Sequence, residues 1–247
     1  MVDLLIQRTT KRSAAFRSDS SNIRIDGHVR PGWKSGNWSG YAMKRTKKNS
    51  FHSISGQWMV PRVKPSKQNT YSSAWLGIDG YGNPSLIQTG TGHNSNKGKP
   101  AYYAWWEILP ALETRIPYPV SPHDLMYANI TKLRKNKWQI VLKNKTKGWT
   151  FKKITRYTGP AATAEWIMEA PFVSGQIARL ANYRKVLFQK CRVNDKNALL
   201  KPNNGGIMIQ RKRVVSTPSL PNKTRDGFVV AYGSKMPSSS KSSSRSS

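Results

Sequence analysis

Cysteine and long hydrophobic runs are both nearly missing from this chain of 247 residues. Cys191 is the one cysteine, so no disulfide can form within the chain, and we expect it to be a small buried hydrophobic residue. No apolar run approaches the ~18 residues of a membrane-spanning helix. The apolar patch at residues 2–6 is broken by Asp3 and is too short for the hydrophobic part of a secretory signal. We therefore expect no transmembrane segment, and we see no signal peptide.

Acidic residues are scarce as well. The chain has 11 Asp and Glu against 42 Lys and Arg, a formal net charge of +31. Such a charge attracts polyanions, anionic surfaces and acidic polypeptides, but it does not determine a fold. Basic runs such as KRTKK, KLRKNK and QRKRVV are spread along the chain rather than gathered in one segment. We therefore expect a solvated cationic surface, with non-specific polyanion binding as an accompanying property.

Helical patterns are also rare. The chain instead offers short runs in which apolar and polar residues alternate, bounded by Gly, Pro, Asn and Ser, a pattern typical of antiparallel strands. Twelve runs are too many for an immunoglobulin-like sandwich, so we predict an all-β fold, a larger two-sheet antiparallel β-sandwich. The predicted strands are 38–43, 52–60, 72–78, 86–90, 101–109, 125–133, 137–144, 150–157, 164–170, 186–193, 207–211 and 227–232.

Several catalytic chemistries lack their residues. The four histidines include no HExxH sequence and no paired spacing of metal ligands, and no GxSxG marks a serine nucleophile. The runs GIDGYGN and QTGTGHN lack the Lys-Ser/Thr ending of a phosphate-binding loop and the helix that follows a dinucleotide fingerprint. We predict that both runs are turns, and that His93 in the second run is a loop residue.

Three of the eleven acids lie beside tryptophans in predicted strands. Asp79, Glu107 and Glu165 occur in WLGIDG, AWWEILP and AEWIME. Because successive side chains of a strand point to opposite faces, Asp79 shares a face with Trp75, and Glu107 shares a face with Trp105. Acids on half-buried aromatic surfaces are costly unless they are paired or functional. Pairing with the abundant Lys and Arg is one explanation, and a catalytic site is the other.

Three such acids with the same parity make simple pairing less attractive, and both explanations stay open at this point. Apolar surroundings desolvate a carboxylate and raise its pKa, as does a second carboxylate nearby. A raised pKa suits a glutamate that must both accept and return a proton as a general acid and base.

Nine short motifs support a more specific hypothesis. They are NWSGY (37–41), SGQWMVP (55–61), SAWLGIDG (73–80), LIQTG (86–90), YYAWWEILP (102–110), VSPHD (120–124), AEWIMEAP (164–171), LANY (180–183) and VVAYGS (229–234). Their sequence and order resemble the glutamic peptidases (eqolisins), in particular the bacterial type without disulfides. The resemblance covers residues 36–234. We expect residues 1–35 to be an extension, propeptide-like or disordered, and residues 235–247 to be a low-complexity Ser/Lys/Arg tail.

The resemblance implies a lectin/glucanase-like (concanavalin A-like) sandwich with the substrate lying across the concave sheet. The catalytic glutamine of the family corresponds to Gln88 in LIQTG, and its catalytic glutamate corresponds to Glu165 in AEWI. Its supporting tryptophan, aspartate and glutamate correspond to Trp75, Asp79 and Glu107.

The implied activity is acid endopeptidase cleavage of polypeptide substrates by direct attack of water. Glu165 is expected to take a proton from the water and pass it to the leaving amine, while the amide of Gln88 donates a hydrogen bond to the oxyanion. Trp105 is expected to support substrate binding. No metal or cofactor is implied. We expect a monomer, and family analogy implies secretion.

Two departures from the family pattern stand out. Thr91-Gly92-His93 lacks the acid that family members usually carry two residues after the glycine of QTG, and His123 in VSPHD replaces a usual turn glycine. We expect a strained or reshaped turn at His123. We also expect the basic excess to lower the pKa of Glu165, so that activity persists above the strongly acid range typical of the family.

Three alternatives stay open at this stage. Trp75 and Trp105 would stack sugars if the chain were a carbohydrate-binding module. The net charge would dominate if it were a polyanion-binding protein. The departures at Gly92 and His123 would abolish hydrolysis if it were an inactive relative of the peptidases.

Overall fold

The computed structural model describes residues 31–240, and this part of the chain is built from β-strands. It has no α-helix between residues 31 and 240 and one short 3₁₀-helix, Pro202–Asn204. The strands are β1 (Trp33–Ser35), β2 (Trp38–Lys44), β3 (Ser53–Met59), β4 (Thr70–Ile78), β5 (Ile87–Asn96), β6 (Lys99–Ile108), β7 (Thr114–Ile116), β8 (Leu125–Arg134), β9 (Lys137–Asn144), β10 (Trp149–Arg156), β11 (Thr163–Glu169), β12 (Phe172–Val173), β13 (Gln176–Ile177), β14 (Lys185–Val193), β15 (Lys196–Asn197), β16 (Gly205–Gln210), β17 (Arg213–Pro218) and β18 (Phe228–Tyr232).

The predicted all-β class is confirmed, and each of the twelve predicted strands overlaps an observed one. The missed strands are short, with the exception of β17. A strand of two or three residues is too brief to show the alternation on which the prediction rests.

Most strands join one long ladder in the order β10-β9-β8-β3-β14-β18-β17-β16-β2-β11-β4-β5-β6-β7. Pairing along this path is antiparallel, and β1 adds to β16 in parallel. The ladder folds over so that its two halves share one core. Leu76 and Trp166 from one half pack there with Trp58, Met126 and Trp138 from the other. The result is the predicted two-layer sandwich.

Two buried tryptophans tie the layers together by hydrogen bonds. The indole N–H of Trp166 on β11 donates to the carbonyl oxygen of Ser55 on β3 at 3.0 Å. The indole N–H of Trp58 on β3 donates to Oγ1 of Thr91 on β5 at 2.9 Å. Each bond satisfies a polar group that would be costly to bury alone, and each fixes one layer relative to the other.

A second apolar cluster covers the opposite face of β2, β11, β4, β5 and β6. It includes Trp38, Trp75, Trp105 and Ile167, which alternate along their strands with residues of the main core. This sheet therefore has an apolar layer on both faces. Polar side chains on the second face are buried among aromatic rings.

The prediction of a turn at QTGTGHN is wrong. These residues lie in β5, and His93 is fully buried in the strand rather than placed in a loop. The glycines serve close packing: a methyl group at Gly90 would lie 2.5 Å from Cβ of Trp75, and one at Gly92 would lie 2.2 Å from Cζ of Tyr103. Glycine in a strand often marks such a close approach.

The other local predictions can be compared directly. His123 has a φ of 71°, the left-handed conformation that favours glycine, so the expected strained turn is confirmed. Cys191 is buried, as expected. Among residues 31–240 there is no helix long and apolar enough to span a membrane.

The predicted boundaries at residues 35 and 234 stay a prediction. Residues 1–30 and 241–247, to which most of the extension and the tail were assigned, lie outside the described part of the chain. Strand β1 lies within the segment assigned to the extension and pairs with β16 through Trp33, Lys34 and Ser35.

Candidate active site

Four neighbouring strands place the predicted polar residues in one row across the second face. Glu107 on β6 pairs with Gln88 on β5, Gln88 pairs with Gly77 on β4, and Gly77 pairs with Glu165 on β11. Residues directly opposite one another on adjacent strands point to the same face. Glu107, Gln88 and Glu165 therefore lie side by side, away from the main core.

Gly77 separates the two predicted catalytic side chains. Neighbouring strands lie about 4.8 Å apart, so the Cα atoms of Gln88 and Glu165 are roughly 10 Å apart. Because Gly77 has no side chain, it does not fill the space between the Gln88 amide and the Glu165 carboxyl. Leu86 and Trp75 border that space. A methyl group at Gly77 would lie 2.9 Å from Cδ1 of Leu86 and 3.1 Å from Cζ3 of Trp75.

Glu165 is fully buried, and neither of its carboxyl oxygens makes a hydrogen bond. Burial raises the pKa of this carboxyl well above its ordinary value, and the charge of Asp79 adds to the rise. The Thr163 hydroxyl, which lies nearby without completing a hydrogen bond, opposes the rise in pKa. The expectation that basic residues lower this pKa is therefore wrong, because desolvation and a neighbouring carboxylate outweigh cations that lie at the surface.

Asp79 follows β4 and holds the loop that leads into β11. Its carboxylate accepts hydrogen bonds from the Tyr157 hydroxyl at 2.6 Å and from the backbone N–H groups of Ala161 at 2.7 Å and Ala162 at 2.9 Å. The side-chain amide of Asn83 donates a fourth bond at 3.2 Å. Asp79 thus lies beside the row rather than in it. It anchors the entry to β11 and places a negative charge near Glu165.

Glu107 orients the amide of Gln88. The Nε2 atom of Gln88 donates a short hydrogen bond to Oε2 of Glu107. The Oε1 atom of Gln88 is buried and makes no hydrogen bond. An amide nitrogen carries two N–H groups, so the second one stays available on this face when the first is held by Glu107.

Trp75 belongs to a neighbouring polar cluster on the same face. Its indole N–H donates to Oε2 of Glu169 at 2.8 Å, and the side-chain amide of Asn37 donates to the other oxygen of Glu169 at 3.4 Å. The ring of Trp38 packs edge-on against Trp75, with centroids 4.9 Å apart. These contacts lock Trp75 next to the row formed by Gln88 and Glu165.

Trp105 lies two residues before Glu107 on β6 and points to the same face. It pairs with Gly90 on β5, and Gly90 pairs with Trp75 on β4. Trp75 and Trp105 are both 0% exposed, whereas stacking on a sugar requires an exposed ring. Gln88 and Glu165 on the same face are equally buried, so burial does not separate the carbohydrate-binding alternative from the peptidase. The place of the missing acid at Gly92 is filled by the ring of Tyr103, on which the guanidinium of Arg115 lies 3.5 Å from the ring centroid.

Between residues 31 and 240, no group of three or more His, Cys, Asp or Glu side chains is arranged to hold a metal ion. The chemistry available to the row is that of a carboxyl group with a raised pKa facing a neutral amide.

Sequence reasoning missed three contributors. Tyr157 contacts Asp79 from 78 residues away, which alternation in a single strand does not reveal. Tyr81 lies close to Glu165: burial, followed by the charge of Glu165, raises the pKa of Tyr81 to about 12. Gly77 was noted only as part of a motif. Its even spacing from Trp75 and Asp79 was the available signal.

Solved structures with the same fold are glutamic peptidases. Scytalido-glutamic peptidase with a transition-state analogue inhibitor matches with a TM-score of 0.68 at 20% identity, covering 80% of this chain and 98% of that one. SCP-B, an eqolisin in complex with the tripeptide Ala-Ile-His, matches with a TM-score of 0.61 at 21% identity, over 80% and 98% of the two chains. Aspergilloglutamic peptidase from Aspergillus niger matches with a TM-score of 0.56 at 22% identity, over 66% and 99%. These likenesses establish the sandwich fold.

Sequence comparison establishes the family. A search of curated proteins found no significant match. The model of the Peptidase A4 family, however, matches residues 36–227, which is most of the chain. The protein therefore belongs to the peptidase A4 family of glutamic peptidases, the eqolisins.

Proposed function

We propose that this peptidase cleaves peptide bonds by direct attack of water, with Glu165 as general base and acid and Gln88 as the hydrogen-bond donor to the oxyanion. One observation carries the proposal: Gln88 and Glu165 lie in register on the same face, on either side of Gly77. Family membership supplies the reaction class, and this row supplies the only two roles that the reaction requires.

The proposed reaction has two steps. The ionised carboxylate of Glu165 takes a proton from water, and the resulting hydroxide attacks the carbonyl carbon of the peptide bond. The oxyanion that forms accepts a hydrogen bond from the Gln88 amide, a contribution of roughly 3–4 kcal/mol for one such donor. Protonated Glu165 then gives its proton to the amide nitrogen, and the carbon–nitrogen bond breaks.

The neighbours of the two residues support these roles. Glu107 holds one N–H of Gln88, so that the other is directed without a rotation at the moment of reaction. Burial and Asp79 both raise the pKa of Glu165, which makes its carboxylate a stronger base for the first step and lets it hold the proton until the second. Trp75 and Trp105 provide an apolar surrounding in which the hydrogen bonds are stronger than in water.

The pH dependence follows from the direction of the Glu165 pKa. A general base works only in its ionised form, which becomes abundant as the pH rises through its pKa. Because the pKa of Glu165 is raised, we expect the rise of activity with pH to lie higher than an ordinary glutamate would give, so that turnover extends above the strongly acid range typical of the family. A profile with an optimum near pH 2 and no turnover above pH 4 would contradict this.

Access to the row requires a change in its cover. Gln88 is 2% exposed and Glu165 is 0% exposed, so a peptide cannot reach them in the arrangement described here. We propose that the second face opens before hydrolysis. A lag before full activity is the expected kinetic sign.

The test is hydrolysis of a denatured protein from pH 2 to pH 7, with pepstatin present to inhibit aspartic proteases. We expect wild type to cleave it and Glu165→Gln to be inactive across the range. Ionising a buried, unpaired carboxyl costs stability at pH 7, so the variant is expected to unfold at the same or a higher temperature than wild type there. Turnover by Glu165→Gln at the wild-type rate would refute the assignment.

Absence of hydrolysis by a folded wild-type protein would instead favour the alternative of an inactive relative of the peptidases.

The net charge of +31 supports a second property, non-specific polyanion binding, which salt-dependent retention on heparin tests. We also propose that the protein is a monomer, and size-exclusion chromatography with light scattering tests that.

A further inference from the structure

A row of three positive charges crosses the outer strands β8, β9 and β10. Arg134 on β8 pairs with Lys137 on β9, and Lys137 pairs with Arg156 on β10. Lys135 lies in the turn between β8 and β9. All four side chains are exposed. We call Arg134, Lys137 and Arg156 the cationic row.

Among residues 31–240, no carboxylate forms an ion pair with the cationic row. Residues 125–164 contain ten Lys and Arg and no Asp or Glu. Of the two acids that flank this stretch, Asp124 accepts hydrogen bonds from Ser121 and Asn144 and forms an ion pair with Lys147 at 3.5 Å, and Glu165 is fully buried. Like charges directly opposite one another in a sheet destabilise it. The row is therefore a cost to folding that a bound anion would remove.

Protection of a sheet edge does not explain the row. β10 is an edge strand of the ladder, and charged side chains on an edge prevent pairing with another chain. Lys152 and Lys153 already supply such charges on β10. Arg134 and Lys137, however, lie on β8 and β9, which are inside the ladder.

The cationic row borders a surface depression. The depression has a volume of about 420 Å³ and is lined by residues 134–137 and 154–156. The lining contains Ile154 and Asn136 but no aromatic ring, so it offers nothing on which a nucleobase or a sugar would stack. What it offers is four cations around a small space.

We propose that this depression binds the phosphate groups of a polyphosphate-like anion. Arginine matches phosphate oxygens with two parallel hydrogen bonds, and two of the three residues of the row are arginines. In the acid range proposed for activity, carboxyl groups with a pKa of about 4 lose their charge, whereas a phosphate keeps at least one. The site localises the polyanion binding proposed above and is independent of the Gln88 and Glu165 row.

The experiment is calorimetric titration of the full chain with tripolyphosphate at pH 5 and low salt. It compares wild type with Arg134→Gln/Arg156→Gln and with Arg62→Gln/Arg213→Gln, a control that removes two exposed arginines elsewhere. We expect the first variant to lose about tenfold or more in affinity, as the loss of bidentate contacts predicts, and the control to lose about twofold or less. Without ligand, the first variant is expected to melt no lower than wild type, because a repulsion has been removed.

Three other outcomes would overturn the proposal in part or in full. Equal losses in the two variants would mean that the general field binds the anion, which overturns the localised site and leaves general polyanion binding intact. If wild type binds neither tripolyphosphate nor heparin, both the localised site and general polyanion binding are overturned. If oligoglutamate at pH 6 binds as tightly as tripolyphosphate and depends on the same arginines, the assignment to phosphate is wrong. Peptide hydrolysis is expected to be unchanged in both variants.

Discussion

At the scale of single residues, two buried titratable groups have opposite effects on stability in acid. Glu165 favours its protonated form in the folded state, so its contribution is lost as the pH rises. His93 favours its neutral form: burial lowers its pKa to about 3. Its ring lies in the main core, with Nε2 2.8 Å from Oγ1 of Thr91 and Nδ1 3.4 Å from Oγ of Ser72. No acid takes part in these contacts, so nothing there stabilises a charged ring.

Burial of neutral His93 lowers the stability of the folded state in acid. An unfolded histidine titrates near pH 6.5, whereas His93 in the folded state stays neutral down to about pH 3. Between these values the unfolded chain binds the extra proton, so stability falls as the pH falls, by up to about 1.4 kcal/mol per pH unit. This limits how acid a working range the fold tolerates, in line with an activity optimum above the strongly acid range.

We therefore predict that His93→Gln flattens the acid side of the stability profile. At pH 7 the variant is expected to be less stable by about 1–3 kcal/mol, because hydrogen bonds in the core are lost. From pH 6.5 to pH 4 it is expected to lose less further stability than wild type. Urea unfolding at several pH values measures both effects, and His52→Gln, at an exposed histidine, is the control. Parallel profiles for wild type and His93→Gln would contradict the prediction.

At the scale of strands, the site depends on register. Gln88, Gly77 and Glu165 face each other because β5, β4 and β11 pair at these residues. A slip by one residue would turn each side chain to the main core. The register is held outside the row as well, since Asp79 at the end of β4 binds the loop that starts β11. The same contacts that stabilise the sheet therefore position the two groups proposed to act on the substrate.

We predict that Gly77→Ala impairs hydrolysis more than folding. The added methyl would meet the carbonyl oxygen of Ile87 at 3.0 Å and Cδ1 of Leu86 at 2.9 Å, between the two proposed catalytic groups. We expect about 1–3 kcal/mol lower stability, typical of an overpacked site, and at least a tenfold lower kcat/KM.

Gly36→Ala provides the control for this change, because its methyl would meet only Cδ1 of Ile177, at 3.2 Å. Peptide hydrolysis and urea unfolding of the two variants are compared side by side. If Gly77→Ala keeps the activity of the control, the space over Gly77 has no part in the reaction.

At the scale of the whole molecule, charge is the dominant feature. The net charge of +31 repels itself in the compact state, and salt reduces this repulsion because the Debye length falls from about 30 Å at 0.01 M to about 10 Å at 0.1 M. The described ion pairs, between Arg115 and Glu113 and between Lys147 and Asp124, offset little of it. Asp79 and Glu107 are buried and hydrogen-bonded inside the fold instead, and Glu165 is buried with a raised pKa.

We predict that the melting temperature rises with sodium chloride between 0.01 and 0.1 M. The expected rise is a few degrees, since a gain of about 1 kcal/mol moves the midpoint of a domain of this size by about 2–4 °C. Differential scanning calorimetry at pH 7 measures it. A melting temperature that does not change or falls with salt would contradict the prediction.

Much of the fold and of the candidate site followed from local patterns. Alternation located β4, β5, β6 and β11, and motif order selected Gln88, Glu165 and their neighbours. Parity also placed Trp75 and Glu107 on the face opposite the core. The strand and face assignments agree with the observed register, because the side-chain direction in a strand depends only on its own residues.

Other features of the site have no local signal. The sequence alone determined the β class, the family resemblance, the excess of positive charge and the faces of the individual strands. Only the tertiary structure decided which strands are neighbours, that Gly77 lies between Gln88 and Glu165, that Tyr157 holds Asp79, and that His93 is buried rather than in a loop. It also decided the direction of the Glu165 pKa, because desolvation and the distance to another charge depend on residues far apart in the chain that folding brings together.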